Sequence, residues 1–174
     1  MSVITVGIAD CRISRVPEDV LITYALGSCV GVAIYDPVAR VGGLLHYMLP
    51  ESAIDPEKGR ANPYMFADTG IPLLFRRSYE HGAEKRRLLV NIAGGAQVMD
   101  EAGIFNIGKR NALALRKILW KAGVLICSEA VGGSVSRTVR LEMGSGRVWL
   151  RTEGLQEMEM LSKSKGVSPW HCAS

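Results

Sequence analysis

Aromatic residues are scarce, 6% of the 174 positions, and the basic residues outnumber the acidic ones only by 21 to 17. Those cations are scattered, apart from Arg76-Arg77 and Lys85-Arg86-Arg87. Nucleic-acid binding needs a concentrated basic face, with aromatic platforms where single strands are bound, so the composition argues against nucleic acid as a partner. No apolar run approaches the roughly 20 residues that cross a bilayer, and no membrane insertion is expected. The four cysteines (Cys11, Cys29, Cys127, Cys172) form no CxxC and no Cys/His set at zinc spacing, and there are only three histidines; no metal and no cofactor are expected. Repeats and low-complexity tracts are absent. The opening Met1-Ser-Val-Ile-Thr-Val-Gly7 has no basic segment ahead of an apolar run and reads as a first strand. A cytoplasmic chain with reduced thiols is the expectation.

What is present is a globular composition, 48% hydrophobic and 22% charged, predicting a single domain over 1–163 and a mobile tail over 164–174. Ile4 to Ala9 and Leu21 to Ala25 read as strands, with Arg12 to Asp19 as a connection. Glu51 to Pro63 is a loop of turn-formers and charges that follows His46 closely, a placement that overhangs a site built there. Tyr64 to His81 has helical spacing, split by Gly70 and Pro72, with Pro72 in the first turn of the second piece. Leu88 to Ala93 is a buried strand delivered into Gly94-Gly95-Ala96, which suits either a substrate-binding loop or tight packing against a neighbouring strand. No Gly-Lys-Ser/Thr follows, so it is not a phosphate loop. Asn106 is placed as the cap of a helix whose face runs Ile107, Asn111, Ala114, Leu115, Ile118, Leu119 and Ala122, stopped by Gly123. Val124 to Ser128 is strand-like. Thr138 to Glu142 and Arg147 to Thr152 alternate around Gly144-Ser145-Gly146 as a hairpin, and Leu155 to Lys163 is read as a short helix. Strands first and last with helices between predict an α+β domain, a mixed or largely antiparallel sheet system covered by helices.

The chemistry concentrates in Thr23 to Pro50. Cys29 sits among small residues, and His46 follows seventeen positions on. Between them two apolar runs flank Asp36-Pro37, which is turn chemistry. A turn over Asp36 to Ala39 pairs Tyr35 with Arg40 and brings Cys29 opposite His46, with Cβ atoms about 4.5–5.5 Å apart. An imidazole so placed can hold the thiol proton and lower the thiol pKa. The N–H groups of Gly27 and Ser28 suit an oxyanion, and Gly31 and Ala33 leave room on the Cys29 face. The competing reading is that of a small buried hydrophobe; Cys127, with no histidine near it in sequence, takes that reading.

Leu26-Gly-Ser-Cys-Val-Gly-Val32, Asp36, Gly43 and His46-Tyr-Met-Leu-Pro50 resemble the bacterial chemoreceptor glutamine deamidases, the CheD family. Gly94-Gly95-Ala96, Ile107-Gly-Lys-Arg-Asn111, Val131-Gly-Gly133 and Arg137 follow that family's order from about Val6 to Thr152. Asn91-Ile92-Ala93 departs from it, standing where a lysine followed by larger residues is common. The resemblance implies a layered α/β sandwich similar to toxin-type glutamine deamidases. It also implies a cysteine hydrolase that turns receptor glutamines into glutamates, with Cys29, His46 and Thr23 as the catalytic set and Gly27, Ser28, Gly94 and Gly95 around the substrate. The implied partners are chemoreceptor cytoplasmic helices and a CheC-type phosphatase. Two other classes fit the same residues: a non-catalytic adaptor that binds receptors or CheC, and a cysteine peptidase or transamidase.

Overall fold

The computed structural model describes residues 1–98 and 105–160; the tail over 164–174 lies outside them. In chain order the strands and helices are β1 (Ser2–Thr5), β2 (Asp10–Ser14), β3 (Asp19–Leu26), β4 (Val30–Asp36), β5 (Val41–Tyr47), α1 (Pro56–Ala61) and α2 (Ala67–Glu80). Then come β6 (Leu89–Gly94), α3 (Ile107–Ala122), β7 (Ser128–Val131), β8 (Arg137–Glu142), β9 (Val148–Thr152) and β10 (Met158–Glu159).

The strands form two five-stranded sheets, ordered β1-β3-β8-β9-β10 and β2-β5-β4-β6-β7. Each is mixed: β1 runs parallel to β3 and β7 parallel to β6, while the other pairs are antiparallel. The period-2 alternation of β4 and β5 builds the layers. Val30, Val32 and Ile34 of β4, with Val41, Leu45 and Tyr47 of β5, pack on Ile71 and Leu74 of α2 and on Leu115 and Leu119 of α3. Ala33, Tyr35 and Leu44 point the other way, onto Leu21, Val139, Leu141, Val148 and Leu150 of the first sheet. Both faces of β4 and β5 are therefore buried, which is why they read as near-continuous apolar runs. Each fully buried Leu, Ile or Val contributes about 1.5–3 kcal/mol. The outcome is a three-layer α+β sandwich of sheet, sheet and helices, with α2 and α3 against the outer face of the second sheet only.

Several local expectations need correction. The β4–β5 loop is longer than a tight turn: Asp36 pairs with Val41 and Gly31, not Cys29, stands opposite His46. Asp36 Oδ1 accepts from the N–H groups of Val38 and Ala39 at 2.9 and 3.0 Å, and Arg40 takes φ +52° to close the loop. The register moves by two residues, so the faces are unchanged. Helix α2 runs straight through Pro72, because one missing hydrogen bond near its start is outweighed by the burial of Ile71, Leu74, Phe75 and Ser78. Arg12 lies on a strand, β2, paired with β5 from Asp10↔His46 to Ser14↔Gly42. Leu155 to Met160 is no helix: β10 adds to the edge strand β9, covering a row of backbone groups that would otherwise be open. The rest of that expected helix lies outside the described residues. The β8–β9 hairpin and the Gly123 stop of α3, with φ +67°, match expectation, whereas Asn106 makes no side-chain cap and instead adopts φ +48°.

Candidate active site

Strand β3 carries Thr23 into the space between the two sheets and then breaks. The β3–β8 register shifts between Thr23 and Leu26, and Ala25 sits at φ +54°. The bulge throws Tyr24 and Ala25 outward and returns Leu26 to the core, fully buried. Immediately beyond lies the Gly27-Ser28-Cys29 bend.

On β5, His46 is two residues from Leu44, shares its face and so points into the same intersheet space, where it is 1% exposed. Its Nδ1 lies 2.8 Å from Thr23 Oγ1, and Thr23 Oγ1 lies 2.8 Å from the Val6 carbonyl oxygen. A hydroxyl has one proton to give. Val6 O can only accept, so the Thr23 hydroxyl donates to it and accepts from His46. The imidazole is thereby fixed as the Nδ1–H tautomer, with a lone pair on Nε2. That Nε2 is buried and has no hydrogen-bond partner among the described residues. An orphaned buried acceptor is costly, and such groups mark functional positions.

Cys29 is half-buried and packs against the same intersheet cluster. Its bend is held by three consecutive carbonyls. Gly27 O accepts from Ala96 N–H at 2.8 Å, Ser28 O from the Asn111 side-chain amide at 2.9 Å, and Cys29 O from Gly95 N–H at 2.8 Å. Among the described residues no peptide is cis, and in a trans peptide the N–H points opposite the C=O. The N–H groups of Ser28 and Cys29 therefore face away from the clamp, as an oxyanion site requires. Gly94, at φ +111°, allows the closest approach: a Cβ there would overlap the Cys29 carbonyl oxygen. Gly94-Gly95 packs tightly against the Cys29 bend, and the Gly95 N–H is spent on Cys29 O.

Burial sets the electrostatics. It pushes the His46 imidazole down from 6.5 to about 4, so the ring is neutral around pH 7. Burial also raises the Cys29 thiol, only partly offset by its own backbone N–H. The expected lowering of the thiol pKa by a resting imidazolium is thus not found; thiol and imidazole are both neutral. The room that Gly31 leaves is also taken, since a Cβ there would lie 2.9 Å from Leu26 Cδ1 and 3.6 Å from Thr23 Cγ2.

The strand register brings Cys29 and His46 to one region and the family resemblance adds Thr23; the structure sets Thr23 against His46 and gathers Gly27, Ser28, Gly94 and Gly95 at the Cys29 bend. In the Glu51 to Pro63 stretch, the Ser52 N–H and hydroxyl donate to Asp68, and the Asn62 amide donates to Ala9 O, next to the Asp10 that pairs with His46. Two contributors were missed. Asn111, fully buried, belongs by its spacing to a helix face; its amide also reaches Met48 O at 2.7 Å and so ties the Cys29 bend to the end of β5. Arg137 donates to Gly132 O at 2.7 Å and to Gly94 O at 3.4 Å, beneath the clamp. A polar residue at a core position of α3 was the available signal for the first.

A family model described as CheD chemotactic sensory transduction matches residues 48–152, more than half of the chain. A "probable chemoreceptor glutamine deamidase CheD" of Solibacter usitatus is 64% identical over 157 residues, 90% of this chain and 93% of its own. Proteins of the same description from Syntrophus aciditrophicus and Anaeromyxobacter dehalogenans are 51% and 49% identical, covering 88% and 87% of this chain and 96% of each of theirs.

Proposed function

The chain belongs to the CheD family, and from that premise we propose that it hydrolyses glutamine side chains of chemoreceptors to glutamate, with Cys29 as nucleophile, His46 as general base and Thr23 as the group that orients the base. The observation that carries the residue assignment is Thr23 Oγ1 lying between Val6 O and His46 Nδ1 at 2.8 Å each: it frees Nε2 as the basic atom in the layer that also receives Cys29.

Because thiol and imidazole rest neutral, proton transfer accompanies attack instead of preceding it. Cys29 Sγ bonds to the carboxamide carbon as its proton passes to His46 Nε2, and the carbonyl oxygen takes up negative charge against the N–H groups of Ser28 and Cys29. Collapse of the tetrahedral intermediate breaks the C–N bond, and the His46 proton leaves with the amine as ammonia. Water, deprotonated by the same Nε2, then attacks the thioester; the C–S bond breaks, the thiol recovers its proton, and the carboxylic acid of glutamate departs and ionises. Burial serves this cycle in one respect: an imidazolium is disfavoured here, so the proton it gains at attack is readily surrendered to the leaving group. We place the reaction in the cytoplasm, on the receptor's cytoplasmic helices. A CheC-type phosphatase is carried as a second partner on the family resemblance alone.

The test is mass spectrometry of a chemoreceptor cytoplasmic fragment incubated with the wild-type protein, Cys29→Ala or His46→Ala. One amide-to-acid mass step per modified glutamine, with wild type only, is the expected result. An unmodified fragment that still co-elutes with the wild-type protein would favour the adaptor reading instead.

A further inference from the structure

We propose that the outer face of α3 is the docking surface for an acidic helical segment of the substrate receptor, a proposal that rests on the deamidase reading above. Between Ile107 and Ala122 the sequence has no Asp or Glu but has Lys109, Arg110, Arg116, Lys117 and Lys121. All five are exposed. Among the described residues Arg116 alone of the five is ion-paired, to Glu129 at 3.0 Å. Solvation alone explains a charged helix face, but it does not explain what lies within this one. Leu113 is 53% exposed and Trp120 is 80% exposed.

Lys109, Leu113, Arg116 and Trp120 are spaced i, i+4, i+7 and i+11, a single stripe about 16 Å long at 1.5 Å per residue. Its apolar members are not spillover from the core, because α3 already buries Ala112, Leu115 and Leu119 on a separate face, roughly 100–120° around the helix. Trp and Arg at the centre of a polar surround are the composition of an interface hot spot. The stripe also runs to the clamp that holds the Cys29 bend. A cleft of about 300 Å³ runs between Lys109, Leu113 and Arg116 on one wall and Gly95, Gln97 and Gly132 on the other. Gly95 is the residue whose N–H holds Cys29 O. A helix laid along α3 would therefore end against the clamp behind the nucleophile.

Charge decides the class of occupant. A second copy docked through this face would bring basic α3 against basic α3, so self-association is disfavoured here. A bilayer surface would meet two apolar side chains separated by cations, too little for an interfacial helix to bury. An acidic helix with small apolar positions between its carboxylates satisfies both the cations and the Leu113–Trp120 pair.

The experiment measures deamidation kinetics on a receptor cytoplasmic fragment for wild type, Leu113→Ala/Trp120→Ala and Lys109→Glu/Lys117→Glu. These positions are exposed, and thermal melts verify folding. The expected result is a KM raised about tenfold or more in both variants with kcat within about twofold, and a wild-type KM that rises with salt more steeply than that of the charge variant. Unchanged KM in both variants overturns the proposal. Variants that lose binding to anionic vesicles while keeping wild-type KM for the fragment overturn it in favour of a membrane surface. If the wild type modifies no glutamine, the deamidase reading has failed on its own, and calorimetric binding of the fragment decides docking: weaker binding by the variants sustains it, and equal or absent binding overturns it.

Discussion

Replacing the Thr23 hydroxyl isolates the tautomer argument, because Thr23→Val keeps the β-branched shape while removing both of its hydrogen bonds. Nothing then holds the proton on His46 Nδ1, and the ring is free to place it on Nε2, where it cannot act as a base. A fall in kcat of tenfold or more is expected for Thr23→Val, with most activity retained by Thr23→Ser; equal kcat in all three proteins would dismiss the relay. The burial of Cys29 has its own consequence. With the thiol raised by desolvation and no imidazolium at rest, alkylation of Cys29 by iodoacetamide is expected to be slow at neutral pH and still rising above pH 9. Peptide mapping separates Cys29 from Cys11 and Cys127, both buried. A rate that levels off below pH 7 would instead reveal a thiolate–imidazolium pair.

At the scale of elements, the Cys29 bend is shaped from outside itself, by Gly95 and Ala96 just after β6 and by α3. Asn111 donates to Ser28 O and Met48 O, so Asn111→Ala leaves two carbonyls without their partner. A stability loss of about 1–3 kcal/mol, read from denaturant melts, is expected together with a lower kcat; wild-type kcat in a folded Asn111→Ala protein would show that the bend keeps its shape unaided. Gly94→Ala is expected to be worse than any other Gly→Ala change in β6 or the bend, since it combines φ +111° with a clash on the Cys29 carbonyl. How much of this was legible in the sequence follows from which forces act locally. Alternation and apolar runs gave β3, β4, β5, β6 and the β8–β9 hairpin, and parity gave the shared face of Cys29 and His46. The register was off by two because Asp36 spends its side chain on the loop and Arg40 takes a left-handed φ that no local rule requires of arginine. Strand β2 escaped because only five residues, Asp10 to Ser14, meet β5. Asn111 escaped because the Ser28 and Met48 carbonyls it binds are far away in sequence, and Arg137 because its link to the Gly94 carbonyl spans 43 residues, although its other partner, Gly132, is close by.

For the whole molecule, the buried histidine couples the candidate site to stability. Its pKa falls from 6.5 to about 4 on folding, so between those values the unfolded chain binds the proton more tightly. The contribution is fully present above pH 6.5 and is lost as pH falls towards 4, up to roughly 3 kcal/mol by linkage. Denaturant melts from pH 7 to 4 are expected to show this loss in wild type and a shallower one in His46→Gln; parallel profiles would argue that His46 is protonated in the folded protein. Asp36 acts in a lower window. Burial raises its pKa, but hydrogen bonds from the Arg87 side chain and from the N–H groups of Glu84, Ala39 and Val38 outweigh that and hold it below its usual 3.8. Its stabilisation is therefore lost only as pH drops below that value. The central claim, that Cys29 is the nucleophile of an acyl-enzyme cycle, is met most directly by acid-quenching the protein during turnover of a receptor fragment and mapping the trapped adduct by mass spectrometry. A hydroxylamine-labile thioester on Cys29, absent from Cys29→Ala, is the predicted result. Turnover by Cys29→Ala, or an adduct on any other residue, would contradict it.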